Sequence, residues 1–187
     1  MLKCESCGEE FGRRGARGRV PRFCSGRCRV RAHRAGGPSA LKARTVGRWV
    51  RAAGKRPLQV SGRWASSTNP GTWSSFDDVQ VGPGDGFGVM LGGGVGVYDL
   101  DSCFTEGGEL SDWARGVLVG ITEPVLFVER SVSGRGLHVF IEAEEGPGSR
   151  VSVPGGGGVE RYSKSRFIRT TLEAFTLPQL VGAHPLI

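Results

Sequence analysis

Tyr98-Asp99-Leu100-Asp101 closes a short run of β-branched and apolar residues with two carboxylates spaced two apart. Side chains alternate across a strand, so Asp99 and Asp101 share one face while Leu100 points into the core. Carboxylates converging at a strand end suit one or two Mg²⁺ or Mn²⁺ ions. About thirty residues on, Glu129-Arg-Ser131-Val-Ser133-Gly134-Arg135-Gly136-Leu-His138 sets hydroxyls, glycines and a histidine at the mouth of another strand. Backbone N–H groups of such a turn, with a donor side chain beside them, can hold phosphates. The two segments together point to metal-dependent chemistry on a nucleotide.

A second constellation stands at the start of the chain. Cys4-Glu-Ser-Cys7 and Cys24-Ser-Gly-Arg-Cys28 are two close pairs separated by a Gly/Arg-rich loop. Each short turn can aim two sulfurs at one tetrahedral ion, so Cys4, Cys7, Cys24 and Cys28 read as a four-thiolate zinc knuckle or ribbon. So small a segment holds too little apolar surface to fold without the metal. Disulfides are the alternative, and they are disfavoured in a reducing compartment. His33 is close in sequence, but four thiolates already complete the shell, which leaves it to solvent or phosphate. Cys103 has no partner and reads as a buried thiol.

The elements that must position these groups follow from periodicity and punctuation. Leu41–Ala53 fits a basic helix with Leu41, Val46, Trp49 and Val50 on one face and Gly54 as its stop. The stretch from Ser67 carries cap candidates and a proline near a first turn, so a short helix is expected toward Val79, with Trp73 and Phe76 as core packing. Phe87–Leu91 and Val95–Leu100, joined by three glycines, predict a hairpin. Glu109–Ile121 predicts a helix, and Val125–Glu129, Leu137–Ile141, Gly158–Tyr162 and Arg166–Thr170 predict strands. The Gly155–Gly158 run reads as a flexible loop, because no Gly-Lys-Ser/Thr follows it to make a Walker loop.

The 187 residues leave room for one domain of ordinary size plus a small module. No apolar run approaches the roughly 20 residues needed to span a membrane. The N-terminal residues form no apolar signal core, so the expected location is the cytoplasm. Residues 1–36 hold ten Lys/Arg against three Glu, whereas the rest of the chain is balanced at fifteen each, so the whole net charge of +7 lies in the first segment. Phe11 to Phe76 contains no acidic residue. A basic stretch of that length is the footprint of a polyanion, with nucleic acid the expected partner and a solubilising tail the bland alternative.

Residues 23–34 look like the small four-cysteine fingers found at the start of many actinobacterial and phage proteins. Residues from about 45 to 172 resemble the bifunctional primase-polymerase domain of the archaeo-eukaryotic primase superfamily, as found in phages and plasmids. The matching pieces, in the family's order, are Lys55-Arg-Pro, Ala65-Ser-Ser-Thr-Asn-Pro-Gly-Thr-Trp-Ser-Ser-Phe, Tyr-Asp99-Leu-Asp101, Ser131-Val-Ser133-Gly134-Arg135-Gly136-Leu-His138 and Val-Glu160-Arg-Tyr with Arg166-Phe. The resemblance implies an α/β (α+β) core with an RRM-like sheet. It further implies that Asp99 and Asp101 hold the catalytic Mg²⁺ or Mn²⁺, that Glu160 is the remaining carboxylate, and that His138 contacts the phosphates of the incoming nucleotide. Lys55, Arg135 and Arg166 are further candidate phosphate contacts. The bland alternatives are a turn cap for the aspartates, a core histidine, a surface strand position for Glu160 and a solvated edge charge for Arg166.

Two other replication chemistries are excluded by the residues. A Toprim primase also joins a Cys-rich module to a DxD, but needs a Glu on an earlier strand, and no Glu lies between Glu10 and Glu106. A nicking initiator would want a His-x-His pair, which is absent. The expected organisation is a zinc-binding module at 1–36, a linker at 37–44, a catalytic domain at 45–175 and a tail at 176–187. The expected activity is making or extending primers on single-stranded DNA from nucleoside triphosphates, with a separate helicase as partner. The alternative is a non-catalytic zinc-finger accessory protein with the same fold.

Overall fold

The computed structural model describes residues 1–4, 9–12, 21, 24–25, 37–153 and 156–175. Of the zinc-module expectations, those on Cys7, Cys28 and His33 lie outside the described residues, as does the expected tail at 176–187. Two short strands, β1 (Leu2–Lys3) and β2 (Glu10–Phe11), pair antiparallel near the start. Helix α1 (Pro38–Arg44) follows, with proline in its first turn as expected of an N-terminus. Its Leu41 is fully buried in the main core, so the segment expected as a linker is a packed element.

Two sheets make up the body. One has the order β11-β5-β3-β4, from β3 (Trp49–Ala53), β4 (Arg56–Leu58), β5 (Gly86–Met90) and β11 (Phe167–Thr170). The other has the order β7-β8-β6-β10-β9, from β6 (Val95–Asp101), β7 (Val125–Arg130), β8 (Leu137–Glu142), β9 (Ser149–Val153) and β10 (Gly157–Tyr162), every pair antiparallel. Helix α2 (Asp112–Gly120) crosses over between β6 and β7. The chain is thus mixed α/β, dominated by strands.

The strands β6, β7 and β8 are buried on both faces while the edge strand β9 is exposed, and the alternation shows where each side chain goes. Val95, Val97, Phe127 and Phe140 pack against Trp49, Val89, Ile168 and Leu41 from the other sheet and α1. Leu100, Val128, Leu137, Val139 and Ile141 point the opposite way, onto Leu110 and Ala114. A strand buried on both sides needs a near-continuous apolar run, which Val125–Val128 and Leu137–Ile141 supply.

Four expectations are corrected. The helix over Leu41–Ala53 ends at Arg44; Thr45 Oγ1 donates to the Leu41 carbonyl, Gly47 takes φ +67°, and Trp49 begins a strand. Bulky Trp-Val pairs against Val89 and Gly88 here, and Val46, expected on the apolar face, is 81% exposed. Phe87–Leu91 and Val95–Leu100 do not form a hairpin, because β5 and β6 belong to different sheets. Gly92, Gly93 and Gly94 all adopt positive φ, and that run lets the chain change layers where a two-residue hairpin turn would hold it in one. Gly157 and Gly158 are not loop but the start of β10; a Cβ on Gly157 would lie 2.7 Å from the Trp113 ring, so glycine lets the α2 indole rest on the strand. The helix expected toward Val79 reduces to two 3-10 turns, Pro70–Thr72 and Asp77–Val79. Phe76 packs edge-on to Trp49 and Phe87, as core packing predicts.

Candidate active site

The strand register assembles a row of ionisable side chains across the five-stranded sheet. Glu129 on β7 pairs with His138 on β8, His138 with Asp99 on β6, Asp99 with Glu160 on β10, and Glu160 with Arg150 on β9. Cross-strand partners share a face and stand about 4.5–5.5 Å apart at Cβ. That face is the one carrying Val97, Phe127 and Phe140, so the row stands where an apolar floor gives way to polar groups. Asp101 follows one step further along β6, exposed at its end.

Contacts within the row divide it in two. His138 Nδ1 lies 2.8 Å from Glu129 Oε1, and its Nε2 lies 3.7 Å from Asp99 Oδ1. Glu160 is occupied from its far side: Tyr162 donates its hydroxyl at 2.8 Å, with Arg150 at 3.2 Å and Arg166 at 3.4 Å. The Arg166 guanidinium also lies over the Tyr162 ring. Burial pushes the Asp99 carboxyl above the usual carboxylate range; the neighbouring His138 works against that, and Asp101 and Glu160 add to it. For His138 burial works against protonation, but its hydrogen bond to Glu129 and the charge of Asp99 outweigh it, and its affinity for a proton is raised.

The loop between β7 and β8 is a closed turn. Ser131 and Gly134 N–H groups donate to the Gly136 and Ser131 carbonyls, each at 2.8 Å. The Gly136 N–H donates to Ser131 Oγ at 3.0 Å and the Arg135 N–H to Ser133 Oγ at 3.3 Å. Gly134 takes φ +72°, and Arg130 clamps its carbonyl. A phosphate at this turn would have to displace internal bonds to reach those N–H groups. The Arg135 carbonyl accepts from the Cys103 N–H at 3.0 Å, which ties the turn to the end of β6.

The structure therefore brings Asp99, Glu160 and His138 into one row and sets Asp101, the Ser131–Gly136 turn and Arg166 beside it. Lys55 stands elsewhere, in the exposed β3–β4 turn of the other sheet. Glu129, Arg150 and Tyr162 were missed as site residues. The signal for Glu129 was available: a charged residue two positions beyond Phe127 on a strand otherwise apolar on both faces.

Among the described residues no three His, Cys, Asp or Glu side chains converge closely enough to hold a metal ion as they stand. The donor set nevertheless fits a hard cation in its chemistry. Asp99, Asp101 and Glu160 are oxygen donors close enough to raise the Asp99 pKa, and a divalent cation relieves that repulsion. In the N-terminal module the Cys24 N–H donates to Cys4 Sγ at 3.4 Å, and the Cys4 N–H to the Glu9 carbonyl at 2.9 Å. One member of each cysteine pair is thus brought beside the other. Cys103 is fully buried, and burial pushes its thiol up to about 12. At pH 8 roughly one thiol in ten thousand would be thiolate, so Cys103 should resist iodoacetamide in the native protein and react only on unfolding. Peptide mapping by mass spectrometry checks this, and labelling of the native protein within minutes would contradict it.

No family model matches the chain. It is similar to a DNA primase-polymerase of Nitratiruptor phage NrS-1, with 30% identity over 124 residues, covering 62% of this chain and 17% of the relative. The chain thus spans less than a fifth of the length of that relative.

Proposed function

We propose that this chain carries a primase-polymerase core, a nucleotidyltransferase that makes or extends primers on single-stranded DNA in phage or plasmid replication. The observation that carries the reading is the transverse row Glu129, His138, Asp99 and Glu160 on one face of an antiparallel sheet. It places a histidine donor between the carboxylates and the Gly-rich turn. The β10-β6-β8-β7 order with a helix crossing from β6 to β7, the connectivity expected of an RRM-like sheet, supports it. So does the likeness to the phage primase-polymerase.

Each residue has a role in this reading. Asp99 and Asp101, with Glu160, hold Mg²⁺ or Mn²⁺, which when bound supplies charge neutralisation of the triphosphate and of the attacking primer hydroxyl. His138 donates at Nδ1 to Glu129 and, carrying a second proton on Nε2, offers that N–H to a phosphate oxygen. Arg166 and Arg150, now resting on Glu160, are close enough to the row to turn to a triphosphate. Ser131, Ser133, Gly134, Arg135 and Gly136 border the phosphate end, and Lys55 contacts nucleic acid farther off. Phosphoryl transfer asks little covalent work of a protein, so positioning and charge carry the catalysis. A replicative helicase is the expected partner.

One observation favours the second reading, a non-catalytic zinc-finger accessory protein. Glu160 is capped by two arginines and a tyrosine rather than turned to the aspartates. The same assay separates the two: incubation with single-stranded DNA, labelled nucleotides and Mg²⁺ or Mn²⁺, with and without a primer. Primer synthesis or extension establishes the enzyme. DNA binding with no incorporation under either metal leaves the accessory protein.

The N-terminal module in this reading binds one structural zinc through Cys4, Cys7, Cys24 and Cys28. Elemental analysis of the purified protein should find close to one equivalent. Cys4→Ser/Cys7→Ser should lose it and bind single-stranded DNA more weakly. A zinc-free protein whose N-terminal module is fully folded would refute the assignment.

A further inference from the structure

Glu129 is completely buried, and its carboxylate joins two parts of the molecule that the sequence keeps forty residues apart. Oε1 faces His138 Nδ1. Oε2 accepts from the Thr170 hydroxyl, from the Thr171 N–H at 3.2 Å and from the Leu172 N–H at 2.8 Å. Thr170 ends β11, a strand of the other sheet, and the chain then runs beside β7, with Ala174 bridged to Glu129 and the Phe175 N–H donating to the Val128 carbonyl. Leu172 holds φ +57°, a left-handed conformation unfavourable for a branched side chain, and in it the Leu172 N–H is turned onto Oε2. A costly backbone conformation wrapped around a buried carboxylate is a built seat.

The seat decides the chemistry of the ring. Four donors converge on Oε2, the hydroxyls of Thr170 and Thr171 and the N–H groups of Thr171 and Leu172, the pattern of an acceptor-only carboxylate, so Oε1 accepts as well and His138 Nδ1 donates. The ring cannot turn over without leaving Oε1 of Glu129 without its donor in a dry core, a costly loss. We propose that Glu129, locked by Thr170, Thr171 and Leu172, is the positioning residue that holds the Nδ1–H of His138 and fixes the ring's orientation, so that Nε2 faces the triphosphate beside Asp99 and donates to it when the ring carries both protons. The second sheet thereby acts on the site through one carboxylate. The triphosphate part of this inference rests on the primase-polymerase reading; the positioning part does not.

The test uses the full chain labelled with ¹⁵N-histidine, which has three histidines, with a His138→Gln variant to assign the resonances. Long-range ¹H–¹⁵N spectra should show Nδ1 of His138 protonated in the wild type. In Glu129→Gln the amide oxygen serves the Thr170–Leu172 donors and the NH₂ faces the ring. Nδ1 then becomes an acceptor and the ring's one proton is found on Nε2, so an Nε2–H donor remains but the doubly protonated ring loses the carboxylate that balances its charge. Affinity for a nucleoside triphosphate with Mg²⁺ should fall roughly tenfold to a hundredfold, the usual cost of losing a carboxylate that orients a functional histidine. Thr170→Val keeps the carboxylate and removes one donor, so the tautomer should stay and the affinity loss should be smaller. An unprotonated Nδ1 in the wild type overturns the proposal, as does a Glu129→Gln protein with unchanged tautomer and affinity. If the wild type shows the locked tautomer but binds no triphosphate, the positioning role stands and the primase-polymerase reading falls. The wild-type spectrum decides the first point even where Glu129→Gln does not fold.

Discussion

Asp99→Asn is expected to lower nucleotide incorporation by roughly a thousandfold while raising the melting temperature of the metal-free protein. Losing one metal-holding carboxylate removes several kcal/mol of stabilisation of the transferring phosphoryl group, and each 1.4 kcal/mol is about tenfold in rate. The stability gain has the opposite cause. Asp99 is buried beside Asp101 and Glu160, and its folded pKa is raised despite the attraction of His138. A carboxyl with a raised folded pKa favours folding fully only below its unfolded pKa, and that contribution is lost as pH rises through the folded value. At neutral pH the wild type therefore carries a charged group that destabilises the fold, and asparagine relieves it. Below the ordinary aspartate value of 3.8 both proteins are neutral there, and the difference should vanish. Calorimetry in EDTA at pH 7 and pH 3.5, then in Mg²⁺, checks the sign. Added Mg²⁺ should stabilise the wild type more than the variant. A variant that is less stable in EDTA, or that incorporates nucleotides at the wild-type rate, would remove Asp99 from the proposed metal site.

The spacing of Asp99 and Asp101 was enough to place both on one strand face, because alternation in a strand is a local rule that needs no partner. The same rule, carried from β6 to its neighbours, accounts for His138 and Glu160 standing beside Asp99. What the sequence did not disclose was the register, which is set by contacts between distant segments. Glu129 lies nine residues from His138, and only the β7–β8 register, which a single strand's alternation does not reveal, sets the two side by side. Sheet membership was equally hidden: Gly92-Gly93-Gly94 reads as a hairpin turn, and only the packing of β5 on β3 and β11 shows that the chain changes layers there. The stretch from Val46 to Ala53 misled for a different reason. Leu41, Val46, Trp49 and Val50 fall at helical spacing, yet Trp49 and Val50 lie in β3, where Arg51 is buried too.

That buried arginine changes where the proposed single-stranded DNA partner would be held. The sequence assigned phosphate binding to the N-terminal module and to a helix over Leu41–Ala53, but the cations of that helix are committed elsewhere. Arg51 donates to the carbonyls of Val79, Gly82 and Pro83. Arg48 reaches the carbonyls of Met90 and Leu91, Arg44 pairs with Glu142, and Lys42 lies over the Phe76 ring. Drawing them off would break contacts in and around the core, whereas residues 1–36 carry a surplus of seven positive charges. Deleting 1–36 is therefore expected to remove most of the salt dependence of single-stranded DNA binding. Each phosphate contact contributes a slope of about 0.7 in log affinity against log salt, so seven contacts would lower affinity on the order of a thousandfold between 50 and 200 mM salt. The full chain should show that steep fall. The truncated chain should bind weakly and almost independently of salt, on all sequences alike, while keeping Mg²⁺-dependent nucleotide binding at the row around Asp99. Anisotropy titrations of a labelled oligonucleotide across that salt range measure both slopes. Equal slopes would make the basic segment a solvated tail and send the template across the exposed Lys55 and Arg56 at the β3–β4 hairpin instead.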